Sequence, residues 1–429
     1  MKTFVLFLFF LLTLNSCTEN KTNKTAIQTN KTISNTTIKK LYKSYQAKEL
    51  KLSDILFVVI DAHANADKAI QHFRRAADQY GFRLIALNNV ENKDPKFEQH
   101  IYNAITQAKA DLDIHPKFIF LCGFSGGARM ALNYAFTHQS QGVIMMGAGP
   151  GKQKNTFPFP LAMISGLQDF NFVEQYYPIN SPQVQNPNII SLHWKGGHAW
   201  PDSSTIVDAV SFVLYSSSAL PANKIIRIPQ LEKAKKAQKE NNMFLYFKQL
   251  ELISKTSTGK LKEKTKNSIA KMQESTKAQK YFSRFNQSLM AEQKRNQIYI
   301  KYLDEKPLDW WKNTIAKLND LIAVNDGLNS NSYARTKAFL GILLYSKTNA
   351  AISGKGNIQL LPKYFVIYEL LEPNNADLFF FKAKYAYALN DQKNTISNLK
   401  KALELGFNDD LKLYHSFPQM IISTAQKAQ

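Results

Sequence analysis

The feature that most constrains this chain is a serine in a glycine-flanked turn between an apolar run and a helix-forming run. Phe118-Ile119-Phe120-Leu121-Cys122 leads into Gly123-Phe124-Ser125-Gly126-Gly127, and Ala128-Arg129-Met130-Ala131-Leu132 follows. A G-x-S-x-G pentapeptide in this context reads as a sharp strand-to-helix turn that holds one side chain at its tip in a strained backbone conformation. Glycines on both sides remove Cβ atoms that would collide where strand and helix nearly touch. The helix N-terminus then directs partial positive charge toward Ser125, and the Gly126 N–H can donate to an oxyanion. The blander reading is a structural glycine-rich turn.

A serine nucleophile needs a base, and the base needs an orienting acid. Apolar runs at 55–60, 82–87, 118–122, 143–146, 161–165 and 189–194 are mostly continuous, as in strands covered on both faces. Helical patterns at 66–80, 96–112, 127–137 and 203–215 fill most gaps. This alternation predicts an α/β domain with a mostly parallel sheet, flanking helices and right-handed crossovers. Asp169 comes directly after the run at 161–165, and His198 leaves the last run through Gly196-Gly197. The spacings are 44 residues from Ser125 to Asp169 and 29 from there to His198. His193 lies within the last run and reads as a packed residue. Turn formation is the competing role for Asp169, and a surface position the competing one for His198.

The elbow, the acid and the histidine, in that order and each after a strand, resemble the α/β-hydrolases. Within them, residues 48–217 are similar to the compact esterase and dienelactone-hydrolase-like branch, over about 40% of the chain. The resemblance implies a catalytic Ser125, His198 and Asp169, with no metal and no cofactor. It also implies a second oxyanion donor from the loop Asp61-Ala62-His63-Ala64-Asn65, where Ala64 replaces a frequent glycine and His63 shapes the loop. Only about a dozen residues separate 146 from 161, where lipases often insert a cap, so the expected site is open and cap-less. No pair of antiparallel strands is evident before residue 55.

The N-terminus reads as an address. Met1-Lys2 precedes an apolar stretch from 4 to 14 that is too short to span a bilayer and suits a signal-peptide core. Leu14-Asn15-Ser16-Cys17 resembles the lipobox of bacterial lipoproteins. That resemblance implies a signal peptide over 1–16 and a lipid anchor at Cys17. It places the protein in the bacterial cell envelope, with the outer membrane favoured and its face left open. A plain secretory signal is the alternative. Residues 18–37 are almost all Asn, Thr, Lys and Ser, and 17–47 reads as a flexible tether.

The net charge is +22, yet only eight of the 55 basic residues are Arg, which argues against a nucleic-acid reader built on bidentate contacts. Between Lys224 and Arg295 there are 18 basic and 6 acidic residues. This Lys-rich region, assigned to 225–327, reads as a solvated helical face or an anionic-surface contact. Residues 328–429 form a second helical segment. Phe379, Ala383, Asn390-Asp391 and Ala402-Leu403-Glu404-Leu405 resemble a tetratricopeptide repeat, with Lys382 where an apolar residue is usual. The resemblance implies stacked helix pairs that could take a protein or peptide partner. The expected architecture is thus an α/β-hydrolase-like domain followed by an all-α, tetratricopeptide-like domain.

Two functions remain open on the sequence. The first is a membrane-tethered serine hydrolase acting on esters in preference to amides. The second is a non-catalytic envelope scaffold that binds protein partners through its helical repeats.

Overall fold

The protein is described from a computed structural model, which covers residues 40–151, 156–180, 188–225, 228–324 and 327–427. The lipobox, Cys17 and most of the assigned tether lie outside the described residues.

Among the described residues, seven strands form one sheet: β1 (Tyr42–Gln46), β2 (Leu52–Asp61), β3 (Phe82–Leu87), β4 (Phe118–Phe124), β5 (Gly142–Met146), β6 (Leu161–Gly166) and β7 (Ile189–Trp194). Their order is β1-β3-β2-β4-β5-β6-β7. Only β1 runs antiparallel to its neighbour; the other five pairings are parallel. Helices α1 (Ala66–Tyr80), α2 (Phe97–Asp111), α3 (Gly126–Thr137), α4 (Phe172–Asn180) and α5 (Ser203–Ser216) connect the strands or flank the sheet. The central strand explains the continuous apolar runs. Phe57 and Val59 point into one core with Phe73 and Phe212, while Leu56, Val58 and Ile60 point into the other with Ile101 and Leu121. Period-two alternation is invisible in the sequence because both faces are covered. Helix α1 has clear ends: Asn65 accepts the Lys68 N–H, and Gly81 closes it with φ +78°.

The sheet begins earlier than expected. β1 lies inside 17–47, the segment assigned to the tether. Tyr42 is its one fully buried side chain, and its phenol donates to Asp111 at 3.1 Å. A five-residue edge strand with one buried side chain leaves too little periodicity to read.

The helical part comprises α6 (Ile228–Lys239), α7 (Met243–Thr256), α8 (Gly259–Glu274), α9 (Thr276–Glu305), α10 (Leu308–Ala323), α11 (Asn329–Ile352), α12 (Leu361–Leu371), α13 (Ala376–Ala388), α14 (Gln392–Glu404), α15 (Asp410–Ser416) and α16 (Gln419–Lys427). The observed order of layers agrees with the expected one, a mostly parallel sheet with flanking helices followed by an all-α part. Trp311, Leu340, Ile367, Leu378 and Leu399 build the helical core. Ala383 is fully buried, and Lys382 pairs with Glu369 at 2.7 Å. The helices do not stand apart from the sheet. Leu252 of α7 belongs to a sheet core, and Phe172 of α4 packs in one cluster with Phe244, Phe285 and Leu289. Thr265 is the one buried residue of α8, so the lysines of that helix lie on exposed or partly exposed positions. Among the described residues, no helix is long and apolar enough to cross a membrane.

Candidate active site

Ser125 sits between β4 and α3 at φ +51°, ψ −115°, a backbone region that L-residues seldom occupy. Its glycine flanks are required by close approach. A Cβ on Gly123 would lie 2.3 Å from the Gly127 carbonyl oxygen, and one on Gly127 would lie 2.2 Å from that of Ile60. The Ser125 N–H donates to Met146 at 2.8 Å, which ties the turn to the end of β5.

Asp169 and His198 arrive from the ends of β6 and β7. The His198 Nε2 lies 3.0 Å from Ser125 Oγ, and its Nδ1 lies 3.0 Å from Asp169 Oδ1. The Asp169 side chain is 1% exposed. Its Oδ1 also accepts the Asn171 N–H at 2.8 Å, while Oδ2 is buried without a hydrogen-bond partner among the described residues. An ionised carboxylate can only accept, so the neutral imidazole carries its proton on Nδ1 and leaves Nε2 to accept from the Ser125 hydroxyl. The His198 ring packs between Phe124 and Phe170, with ring centroids 5.0 and 4.4 Å away.

The acid and histidine loops are laced together by backbone. Leu167 N–H donates to Trp194 at 2.9 Å and Gln168 N–H to Gly196 at 2.8 Å. A Cβ on Gly166 would stand 2.2 Å from the Gly196 carbonyl oxygen, so this contact needs glycine. His193, by contrast, is buried between the Ser165 and Ser191 hydroxyls at 2.9 and 2.8 Å. Burial drives its pKa well below the usual imidazole value. It stays in the core, away from Ser125.

The expected oxyanion pair is only half available. Gly126 opens α3, where a backbone N–H has no partner within the helix. Ala64, the other expected donor, has φ +55° and gives its N–H to the Asp61 carbonyl at 2.9 Å. The tight turn consumes the donor. The His63 N–H is likewise spent on Asp61 Oδ1 at 3.0 Å. The Asp61 hydrogen bond to the ring, at 3.1 Å, raises the pKa of His63. Asn92 was not singled out in the sequence, because Asn88-Asn89-Val90-Glu91-Asn92 reads as an ordinary polar loop. In the structure its Oδ1 lies 1.8 Å from where a Cβ on Gly126 would be, so the amide occupies the space beside the nucleophile. Its backbone N–H is pinned to Ala62 at 2.9 Å.

The site is not cap-less. Ser125, His198, Asn92 and Phe170 line one side of a cavity of about 730 Å³. The other side is helical: Tyr345, Tyr368, Glu372, Asp377, Asp409 and Lys412. Only 14 residues separate β5 from β6, too few for an inserted cap. The wall comes from elements more than 200 residues downstream of Ser125, which no local pattern could announce.

No family model and no curated protein matches the chain. Solved structures similar to it include an α/β serine hydrolase homologue from Coxiella burnetii, with 13% identity over 40% of this chain and 89% of that one, at TM-score 0.32. A lidless α/β serine hydrolase from Xanthomonas campestris gives 14% identity over 42% and 89%, at TM-score 0.32. The esterase Est1E from Butyrivibrio proteoclasticus gives 12% identity over 42% and 94%, at TM-score 0.33. Similarity at this level carries no argument about activity.

Proposed function

We propose that the protein is a serine hydrolase that cleaves carboxylic esters in the cavity between its sheet layer and its helices. The observation behind this reading is the pair of 3.0 Å contacts that connect Ser125, His198 and Asp169. Ser125 Oγ attacks the ester carbonyl carbon while His198 Nε2 takes its proton. Asp169 holds the imidazole in the required tautomer and stabilises the imidazolium. The oxyanion is met by the Gly126 N–H and by the Asn92 side-chain amide, once that amide rotates to present its NH₂ in place of the Oδ1 that faces Gly126. His198 returns the proton to the departing alkoxide, leaving an acyl-Ser125. Water, deprotonated by the same ring, then releases the carboxylic acid and restores the serine. The choice of esters over amides rests on the family resemblance.

Glu372, Asp377 and Asp409 against Lys412 alone make the helical wall acidic, which disfavours polyanionic substrates. The reading keeps the lipid anchor at Cys17 and an envelope location, both supported by Leu14-Asn15-Ser16-Cys17. Cell labelling with an alkyne fatty acid, lost in Cys17→Ser, checks the anchor. A fluorophosphonate probe tests the chemistry. It should label the wild type and not Ser125→Ala, whereas equal labelling of the two would remove the proposal.

A further inference from the structure

Two residues before Asp169, the Leu167 carbonyl accepts a 2.6 Å hydrogen bond from Arg335 Nη1. Arg335 belongs to α11, 168 residues downstream in the helical part. Its side chain is 2% exposed. Its Nε and Nη2 grip Glu292 of α9, itself 1% exposed, Nε at 2.9 and 3.0 Å and Nη2 at 2.6 Å. The guanidinium also lies over the Phe172 ring, 4.7 Å from its centroid. Phe172 N–H in turn donates to the Asp169 carbonyl at 2.8 Å. One buried cation therefore touches the acid loop at its entry and at its exit.

Stability alone is a poor reason for this arrangement. The desolvation of two buried charges largely cancels their attraction, and an apolar pair of similar volume often serves as well. The charged pair differs in bringing N–H donors beyond those that Glu292 takes, and one of them, on Nη1, goes to Leu167. The N–H of the same residue is already committed to β7 through Trp194. The loop is thus held on one side by the strand that leads to His198 and on the other by the helices.

We propose that Arg335, held by Glu292, is a positioning residue that fixes the 167–172 loop so that Asp169 Oδ1 meets His198 Nδ1. This makes the helical part a component of the catalytic geometry as well as a wall of the cavity. The proposal rests on the reading of Ser125, His198 and Asp169 as a catalytic triad. Arg335 does not line the cavity that contains Ser125, so its loss acts on turnover and leaves substrate binding in place. A misplaced reacting group of this kind costs about 10- to 100-fold in rate.

The test uses the full chain and two variants, the double change Glu292→Leu/Arg335→Met and the single change Arg335→Lys. Thermal melting, kcat and KM on a short-chain p-nitrophenyl ester, and the rate of fluorophosphonate labelling are compared with wild type. The double variant replaces a buried ion pair by apolar groups. It should melt close to wild type and keep KM within about twofold, while kcat and labelling fall about 10- to 100-fold. Wild-type kcat in a folded double variant overturns the proposal, because a merely structural pair is fully replaced by an apolar one. Should the double variant fail to fold, Arg335→Lys decides. It keeps the charge but not the fork, and undiminished kcat there overturns the proposal equally. A wild type that neither turns over esters nor takes the probe, or a Ser125→Ala variant as active as wild type, sinks the triad reading and this proposal together. An active wild type with fully active variants sinks this proposal alone.

Discussion

The sheet layer and the helical part contribute to one cavity by different routes. In the sheet layer, the serine, the histidine and the acid each stand at a strand end, and their places follow from local order along the chain. β4 delivers the serine, β6 the acid and β7 the histidine. In the helical part, no single segment carries a chemical signature. Tyr345, Tyr368, Asp377 and Lys412 come from four helices and meet only through packing. The difference teaches that a reaction centre can be local in sequence while its enclosure is not.

That contrast is best broken by substitutions that separate chemistry from stability. Ser125→Ala should lower kcat by about 10⁶-fold with an unchanged melting curve. Activity left near wild type would remove the sheet layer's claim to the chemistry. Trp311→Ala in the helical core should cost about 3–5 kcal/mol in denaturant unfolding, because the fully buried indole leaves a cavity. The folded fraction should still be labelled at Ser125 within about twofold of the wild-type rate. Asn92→Ala should lower kcat by about 10²- to 10³-fold with KM little changed, as for loss of one oxyanion donor. An unaffected kcat would exclude the Asn92 amide from that role.

The fourth expectation concerns pH. His193 is held neutral by burial, with Lys248 and Arg335 adding to the same downward shift. Its folded pKa lies below the unfolded value of about 6.5, so its contribution to stability is complete above that pH and is lost as pH falls toward the folded pKa. As pH falls from 7 to 5 the wild type should therefore lose more stability than His193→Gln, a difference that equilibrium unfolding at several pH values reads. An identical pH slope in the two proteins would remove this account. The smallest effect belongs to Lys382→Ala. Its pair with a half-exposed Glu369 should contribute less than about 1 kcal/mol, and kcat should stay at the wild-type level.

Much of the sheet layer was legible because its strands are covered on both faces. Continuous apolar runs bounded by turns placed six of the seven strands, and α1 fell at its observed ends because Asn65 and Gly81 cap it. β1 was not legible, since one buried tyrosine carries it. Ala64 shows the limit of motif reasoning. The sequence marks a loop of the right length beside the nucleophile, but the direction of an N–H depends on a turn whose own carbonyl captures it. Asn92 had no signal, because a polar loop residue gains meaning only from what it lies against.

The sequence by itself determined the turn at Ser125, the order of the groups that follow it and the helical character of the second half. These are consequences of glycine sterics and short-range periodicity. Tertiary structure alone decided that the helices close over the site, that Arg335 reaches the loop of Asp169, and that an asparagine lies beside Gly126. Such contacts join residues far apart in the chain, 168 positions in the case of Arg335 and Leu167. They arise from the burial of apolar surface between elements, which composition permits but does not direct.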